Sequence, residues 1–358
     1  MWQNIKTWYR RYENHISSLS LIGGFVFDAL YLKRVDLFIE NFWVVVHLLM
    51  AATGIIFLNL YESGRFKSKV PGRAHFWFTI LLQFAFGGLL STFLVFYFRS
   101  ATLAVSWPFF LALAALFASN ELLKKHYARL TFQTIVFFVS LYLFAIFIIP
   151  VLVHRIGDDI FILSGLASLV LIFLFLWFIQ TLTPDHFKKS RSMLILSVLS
   201  ILIIVNALYF LNIIPPIPLS LKDAGVYHTI NRVNGEYHAV GEPEPWFSFF
   251  KQYEIFHQTP DSSIYIYSAV FSPANFNTDI IHEWQHKENN QWVTKAVVPL
   301  SIVGGRDSGF RTYSTLSDLE EGLWRVNVKT LNGLGIGRVS FEVVNASTTP
   351  AMTISIKK

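Results

Sequence analysis

The segment His282-Glu283-Trp284-Gln285-His286 places two imidazoles four residues apart, with a glutamate beside the first. On a helix this pattern can bind zinc, because residues i and i+4 face one metal ion there. Here Ile280-Ile281 precedes the segment and a turn follows it, so we expect a strand, on which residues four apart are separated by roughly 13 Å. A third ligand would have to come from Glu320 or Glu321, and nothing places them on a helix. The sequence therefore predicts no metal site.

On a strand, His282, Trp284 and His286 share one face, and the residues between them share the other. A partly exposed Trp284 between two histidines is a candidate recognition patch for a ligand. The alternative is that Trp284 is the buried tryptophan of a β-sandwich. The pattern leaves both interpretations open.

Three further candidates for ligand binding lie on predicted strands: Arg311, Tyr313 and Arg325. An arginine can hold a carboxylate or a phosphate through two parallel N–H groups. Alternatively, each arginine pairs with an acid of its own domain, for which the nearest candidates in sequence are Asp318, Glu320 and Glu321. Tyr313 could also close a corner of a sandwich through its hydroxyl, and Trp324 is predicted to lie in the core.

Other routes to chemistry find little support in the sequence. The chain contains no Cys, which excludes a thiolate nucleophile and a disulfide framework. The glycine-rich run Gly333–Gly337 reads as a hairpin turn, because no helix follows it to form a dinucleotide-binding loop. We expect no catalytic residues and no cofactor.

Beyond the stiff linker of residues 215–218, the pattern changes from a helical to a strand period. Asn234-Gly235, between two β-rich runs, is a strong hairpin signal. The predicted strands are Thr229–Val233, Glu236–Val240, Ser263–Phe271, Asp279–His286, Gln291–Val298, Phe310–Ser314, Gly322–Thr330 and Arg338–Val344. About eight short strands predict an all-β, antiparallel, immunoglobulin-like sandwich over residues 219–358. Pro245–Gln258 is ambiguous and could form a short amphipathic helix.

The composition of the whole chain indicates a membrane protein, with 53% hydrophobic and only 15% charged residues. Seven apolar segments have about the length, roughly 20 residues, that crosses ~30 Å of hydrocarbon as a helix. They are Ile16–Leu32, Phe42–Leu60, Phe76–Phe98, Ala101–Ser119, Thr131–Val153, Ile160–Thr181 and Met193–Ile214. We therefore predict a membrane all-α bundle over residues 16–214. The first segment is the weakest, because Asp28 lies inside it, and a re-entrant or surface position is the alternative.

The basic residues fall on alternate loops of this bundle. One side holds 13 Lys and Arg, and the other holds only Lys33, Arg34, Arg99 and Arg155. Because cytoplasmic loops retain Lys and Arg, we expect a cytoplasmic N-terminus and a C-terminal region outside the cytoplasm. Residues 1–214 carry 17 Lys and Arg against 9 Asp and Glu, whereas residues 215–358 carry 12 against 14. The basic excess is thus explained by orientation, and nucleic acid is not an expected partner.

In residues 1–15, aromatic and apolar side chains recur at helical spacing with basic residues beside them, which predicts an amphipathic helix in the membrane interface. Within the spans, Asp28 and His47 are the two residues that titrate, and together they could relay a proton. The alternative for the intramembrane polar residues, including Gln133 and Asn206, is hydrogen bonding between helices. Gly23-Gly24 and Gly87-Gly88 are predicted to permit close helix packing.

Several motifs of the C-terminal region follow one another in the order H-x-W, R-x-Y-S, G-x-W-R-V-x-V and F-x-V. They are His282–Trp284, Arg311–Ser314, Gly322–Val328 and Phe341–Val343. This order resembles a bacterial domain of unknown function, DUF2914, and His286 is not part of its pattern. The N-terminal half is similar to the multi-pass region joined to that domain, around Gly23–Leu30 and Ile214–Leu219. The resemblance implies a Gram-negative inner-membrane protein with a periplasmic C-terminal domain, and no established activity.

We therefore expect an inner-membrane protein that presents a periplasmic β-sandwich for binding a protein or an envelope polymer, without catalysis. The alternative is a membrane channel, transporter or lipid-handling enzyme with the sandwich as an accessory domain. The expected partners are the lipid bilayer, a periplasmic ligand and, through the helices, a second copy of the chain.

Overall fold

The computed structural model describes residues 22–32, 36–65, 73–100, 103–122, 129–243, 253–260, 262–273, 276, 278–305, 308–348 and 350–357. Their helices are α1 (Ile22–Tyr31), α2 (Phe38–Glu62), α3 (Arg73–Arg99), α4 (Leu103–Leu122), α5 (Leu130–Val153), α6 (Asp158–Leu182) and α7 (Pro184–Phe210). The predicted interfacial helix over residues 1–15 and the start of the first predicted span lie outside the described residues.

Five of these helices are long and apolar enough to cross a membrane. They are α2, α3 from Trp77 onward, α5, α6 and α7, with mean hydropathies between 1.9 and 2.8. The described part of α1 and the apolar part of α4 (Ser106–Ser119) are shorter. At 1.5 Å per residue, α1 alone does not reach across ~30 Å of hydrocarbon. The apolar helices thus indicate a membrane protein.

Helix α7 begins nine residues before the predicted span, at Pro184 instead of Met193. Pro184 occupies the first turn, where its missing N–H costs no hydrogen bond, and Asp185 favours the positive end of the helix dipole. Lys188, Lys189 and Arg191, which the sequence placed in a loop, therefore lie within the helix.

Polar side chains join neighbouring helices by hydrogen bonds. Asn59 Nδ2 of α2 donates to Gln133 Oε1 of α5 at 3.0 Å, and both residues are buried. Asn206 Nδ2 of α7 donates to the Tyr142 hydroxyl of α5 at 3.1 Å. The prediction of interhelical hydrogen bonds is confirmed for Gln133 and Asn206, whereas Asn59 was not singled out by the sequence.

The two glycine pairs differ in their surroundings. A Cβ atom at Gly88 would lie 2.6 Å from His47 Nε2, so the imidazole of α2 occupies the space that glycine leaves on α3. A Cβ atom at Gly23 or Gly24 would meet no atom within 4 Å among the described residues. The prediction of close packing holds for Gly88, whereas for Gly23 and Gly24 no neighbour among the described residues shows such packing.

The described residues of the C-terminal region form eleven strands. They are β1 (Ser220–Tyr227), β2 (Thr229–Val233), β3 (Glu236–Gly241), β4 (Glu254–Gln258), β5 (Ser263–Phe271), β6 (Thr278–Glu288), β7 (Gln291–Ile302), β8 (Phe310–Ser317), β9 (Gly322–Thr330), β10 (Gly335–Asn345) and β11 (Thr353–Lys357). The sequence predicted eight of these and missed β1, β4 and β11. Pro245–Gln258, left open by the sequence, ends in β4, and its residues 245–252 lie outside the described part.

Two tight turns connect strand pairs as their sequences require. Asn234 and Gly235 both have positive φ, 50° and 83°, between β2 and β3. Asn289 and Asn290 likewise have φ of 47° and 64° between β6 and β7. Positive φ at both central residues gives the backbone twist that matches a two-residue hairpin, and Asn and Gly tolerate it best.

The strands form three sheets, in the orders β1-β5-β8, β4-β10-β9-β6-β7 and β11-β3-β2. Buried residues of the first two sheets, including Ile266, Trp284 and Phe341, form one hydrophobic cluster. Ile230 and Ala239 of the third sheet pack against Tyr267 and Ala269 on the other face of β5. Alternate residues of β5 therefore face two different cores, which explains why nearly the whole strand is buried.

One strand pair departs from the predicted antiparallel arrangement. β4 runs parallel to β10, with Glu254 beside Phe341 and Gln258 beside Asn345. A parallel pair needs a long connection, and here more than 70 residues separate the two strands in sequence. No short-range turn signal marks such a pairing, so local sequence patterns did not reveal it.

Candidate functional site

His282 and Trp284 lie in the core between two sheets. His282 Nε2 is 2.9 Å from Ser268 Oγ of β5, and its Nδ1 is 2.8 Å from Ser314 Oγ of β8. Trp284 Nε1 donates to the same Ser314 Oγ at 3.0 Å. Both side chains are fully buried, so neither presents a surface to a partner. Of the two interpretations left open, the structure supports the buried tryptophan.

This buried group is a closed hydrogen-bond network. Burial lowers the pKa of His282 to about 4, so the imidazole is neutral at neutral pH. A neutral imidazole donates through one nitrogen and accepts through the other, and the two serine hydroxyls supply both partners. Among the described residues, the ring bonds to these two hydroxyls, one from each of two strands of the β1-β5-β8 sheet, so the network joins that sheet to β6.

His286, at the other end of the predicted zinc pattern, belongs to a separate group. Its Nδ1 lies 3.3 Å from Glu288 and 3.4 Å from Glu320, and its ring stacks on Trp324. The ligand atoms of His286, Glu288 and Glu320 lie within 4.8 Å of one another, as a metal site requires. However, Lys295 Nζ lies 2.5 Å from Glu288 and 3.4 Å from Glu320. The ammonium already pairs with both carboxylates and balances one of their two negative charges, which makes the group an ion-pair cluster.

Arg311 and Tyr313 lie on the face of β8 that points away from the main core. Arg311 donates to two carbonyl oxygens, of Lys357 at 2.6 Å and of Gly235 at 3.3 Å, and its guanidinium lies over the Tyr237 ring. The ring of Tyr313 contacts Tyr237 and Tyr265, and the residue is 38% exposed. We call Tyr237, Tyr265, Tyr313 and Arg311 the tyrosine patch. Its arginine is held by backbone, and its tyrosines offer an aromatic surface.

Arg325 lies on the outer face of the five-stranded sheet. Its Nε donates to Gln285 Oε1 at 2.7 Å, and its guanidinium stacks over Trp292 at 4.2 Å. Asp318, Glu320 and Glu321, the predicted acidic partners of the two arginines, bond to neither Arg311 nor Arg325 among the described contacts. That pairing is wrong because these acids follow β8 in the chain, whereas backbone carbonyls and Gln285 are the groups that strand pairing brings beside the arginines.

The carboxylate that acts on Arg325 is Glu283, on the neighbouring strand. Burial favours the protonated form of Glu283, but hydrogen bonds from Lys329 and Asn327 outweigh it and lower its pKa. Burial and the nearby Arg338 guanidinium lower the pKa of Arg325. Arg338, which the sequence did not single out, thus belongs to the same surface. The sequence signal that could have identified Arg338 was its position on a predicted strand, where it shares the outward face with Ser340.

Asp28 and His47 are brought together between helices. Asp28 of α1 lies near enough to His47 of α2 to interact with it electrostatically. His47 Nδ1 lies 2.8 Å from the Trp43 carbonyl oxygen, which can only accept, so Nδ1 carries the proton and Nε2 is free of it in the neutral ring. The sequence also offers Asn120 and Glu121 as working groups of a channel, transporter or lipid-handling enzyme, and their side chains lie outside the described part.

Residues 277–343 match the family described as "Protein of unknown function (DUF2914)", which confirms the resemblance seen in the motifs. No curated protein matches the chain significantly. A β-glucosidase from Listeria innocua in complex with isofagomine has 11% identity and a TM-score of 0.20, covering 37% of this chain and 17% of its own. The Pseudomonas fluorescens alkylpurine DNA glycosylase AlkC, bound to DNA with an abasic site analog, has 10% identity and a TM-score of 0.21, covering 85% and 98%. This chain spans less than a fifth of the glucosidase, and TM-scores this low support no argument about either protein.

Proposed function

From the C-terminal DUF2914 domain and the long apolar helices ahead of it, we propose an inner-membrane protein that presents this domain in the periplasm. The domain binds a periplasmic protein or an envelope polymer, and it does so without catalysis. We infer an immunoglobulin-like sandwich from the core shared by the two larger sheets, with the β11-β3-β2 sheet as an addition.

The tyrosine patch is the observation that carries this proposal. Tyrosine and arginine are the side chains most enriched at binding hot spots, because they bury large areas and still offer hydrogen bonds. In this patch the arginine is fixed by two backbone carbonyls, so little side-chain entropy is lost on binding. Tyr313 is the most exposed member, and the other three are partly buried.

Site-specific photo-crosslinking in living cells tests the patch directly. A photoreactive amino acid at Tyr313 is expected to give adducts with an envelope component, because this side chain is 38% exposed beside the other tyrosines. Val303, 53% exposed directly after β7 and not a member of the patch, is the matched control position and should give none. An absence of adducts at position 313, or equal adducts at both positions, would contradict the proposal.

The orientation is tested with two reporters, one active only in the periplasm and one fluorescent only in the cytoplasm. Each is fused after Lys358, because β11 ends at Lys357 and no described strand is then interrupted. Periplasmic activity is expected from the distribution of Lys and Arg over the loops. Cytoplasmic fluorescence would mean an even number of crossings and would exclude a periplasmic ligand.

A second candidate function is a channel, transporter or lipid-handling enzyme that uses the helices. The electrostatic interaction of Asp28 with His47 favours a proton-coupled version of it. Substituting Asp28→Asn and His47→Gln should then abolish complementation of a deletion strain, whereas Gln180→Leu, at an exposed helix position, should not. Full complementation by both variants would remove this candidate.

A further inference from the structure

Two arginines lie side by side on the outer face of the five-stranded sheet. Arg325 of β9 pairs across the sheet with Ser340 of β10, and Asn327 pairs with Arg338 in the next outward row. Arg325 Nε donates to Gln285 Oε1, and Arg338 Nε donates to Asn327 Oδ1, both at 2.7 Å. Each guanidinium is therefore fixed at its inner nitrogen by an amide oxygen. Among the described residues, the Nη atoms of both arginines have no hydrogen-bond partner.

The charges immediately around the two guanidinium groups do not balance. Three cations, Arg325, Lys329 and Arg338, share Glu283, the only carboxylate found to act on either guanidinium within the described residues. Glu283 Oε2 is itself bonded to Lys329 at 2.5 Å and to Asn327 at 2.9 Å. The two guanidinium groups repel each other, and the single carboxylate that they share with Lys329 balances one of three positive charges.

Neutral groups complete the surroundings. Tyr253 acts electrostatically on both guanidinium groups and immediately precedes β4, the neighbour of β10. Trp292 stacks on Arg325 and fixes the plane of its fork. Ser340, which pairs with Arg325 across the two strands, adds a hydroxyl on the face that carries the four free Nη atoms, and the nearby Tyr253 offers a second. Such a set matches a tetrahedral oxyanion, which accepts several hydrogen bonds at once.

We infer that Arg325 and Arg338, with Tyr253, form a binding site for the phosphate group of a phosphorylated ligand. The inference rests on the proposed binding function of the domain and names the ligand chemistry that this face recognises. Such a phosphate belongs either to a lipid headgroup or to a soluble phosphorylated molecule. The site is distinct from the tyrosine patch, because it lies on the outer face of a different sheet.

Binding of inorganic phosphate to the full chain, solubilised in a phosphate-free maltoside detergent, tests the inference by calorimetry at constant ionic strength. The wild-type chain should bind phosphate. Arg325→Gln and Arg338→Gln should each weaken binding about tenfold, because each loses charge-assisted hydrogen bonds. Arg232→Gln, which removes an exposed cation on β2, is the matched control and should leave affinity unchanged. Equal affinity in the control and in both site variants would overturn the site.

A second variant distinguishes a loss of the binding site from a loss of the fold. Tyr253→Phe removes only a hydroxyl and leaves both arginines in place, so a loss of about two- to tenfold is expected without a change in fold. Soluble short-chain phosphatidic acid, titrated in parallel, distinguishes the source of the phosphate. Tighter binding than inorganic phosphate indicates a lipid headgroup, and equal binding indicates a soluble ligand. If the wild type binds neither probe while position 313 still gives crosslinks, this site is refuted and the proposed function stands.

Discussion

The indole Nε1 of Trp284 donates a hydrogen bond to Ser314 Oγ at 3.0 Å, and this bond crosses from the five-stranded sheet to the β1-β5-β8 sheet. The same hydroxyl also meets His282 Nδ1 at 2.8 Å. One serine thus satisfies two large, fully buried side chains that otherwise lie among apolar residues. The H-x-W motif therefore links the two sheets through buried hydrogen bonds. The surfaces available for binding lie elsewhere on the domain.

Replacing Ser314 with Ala should destabilise the domain by roughly 1–3 kcal/mol, because it leaves the Trp284 N–H and a nitrogen of His282 buried without a partner. Hydrogen exchange of β6 and β8 under increasing urea measures the loss. Ser317→Ala is the control, since Ser317 is exposed on the same strand and bonds only to the Ser263 hydroxyl. A loss in the control as large as that at Ser314 would argue against the buried network.

The domain should lose stability as the pH falls from about 6.5 to about 4. The pKa of His282 is about 4 in the fold and 6.5 at its ordinary value, so the unfolded chain binds the extra proton in this window. A shift of this size corresponds to about 3 kcal/mol. The stability of the His282→Asn variant should fall less steeply with pH, because it lacks this imidazole. The other titratable groups contribute equally to the variant and to the wild type. Thermal unfolding between pH 7 and pH 4 measures it, with His238→Asn, a partly exposed histidine of β3, as control.

Gln133→Leu should weaken the helical part by about 0.6 kcal/mol, and by no more than ~1.7 kcal/mol. The reason is the buried hydrogen bond from Asn59 Nδ2 to Gln133 Oε1, which the variant removes. Unfolding in a mild detergent with increasing sodium dodecyl sulfate gives the difference. Gln180→Leu, at an exposed position of α6, should unfold like the wild type. Identical curves for all three proteins would show that the bond contributes nothing.

Gly88→Ala should destabilise the packing of α2 on α3 by roughly 1–3 kcal/mol, because the added methyl group overlaps the His47 imidazole. Gly24→Ala meets no described atom within 4 Å and should be neutral or slightly stabilising. The double variant His47→Ala/Gly88→Ala removes the overlapping ring and should recover most of the packing loss. The same detergent titration checks all three, and a harmless Gly88→Ala would contradict this contact.

Residue periodicity was sufficient wherever the structure is local. The apolar runs of 19 to 23 residues predicted the long helices, since each satisfies its own backbone hydrogen bonds. The alternating pattern of Ser263–Phe271 and the turn at Asn234-Gly235 predicted β5 and the β2–β3 hairpin at nearly their observed bounds. The sequence also predicted correctly that His282–His286 forms a strand, and His282 and His286 have different partners there.

Contacts between distant strands were decided only by the tertiary structure. Ser268 and Ser314 reach His282 because two sheets share a core, and Gln285 reaches Arg325 because β6 pairs with β9. Arg338 lies near Arg325 through the register of β9 and β10. Such pairings depend on packing across sheets and on chain closure over long distances, to which local propensity contributes little. The sequence by itself thus determined which residues form helices and strands, whereas the register between strands decided which side chains are buried together and which cations share a surface.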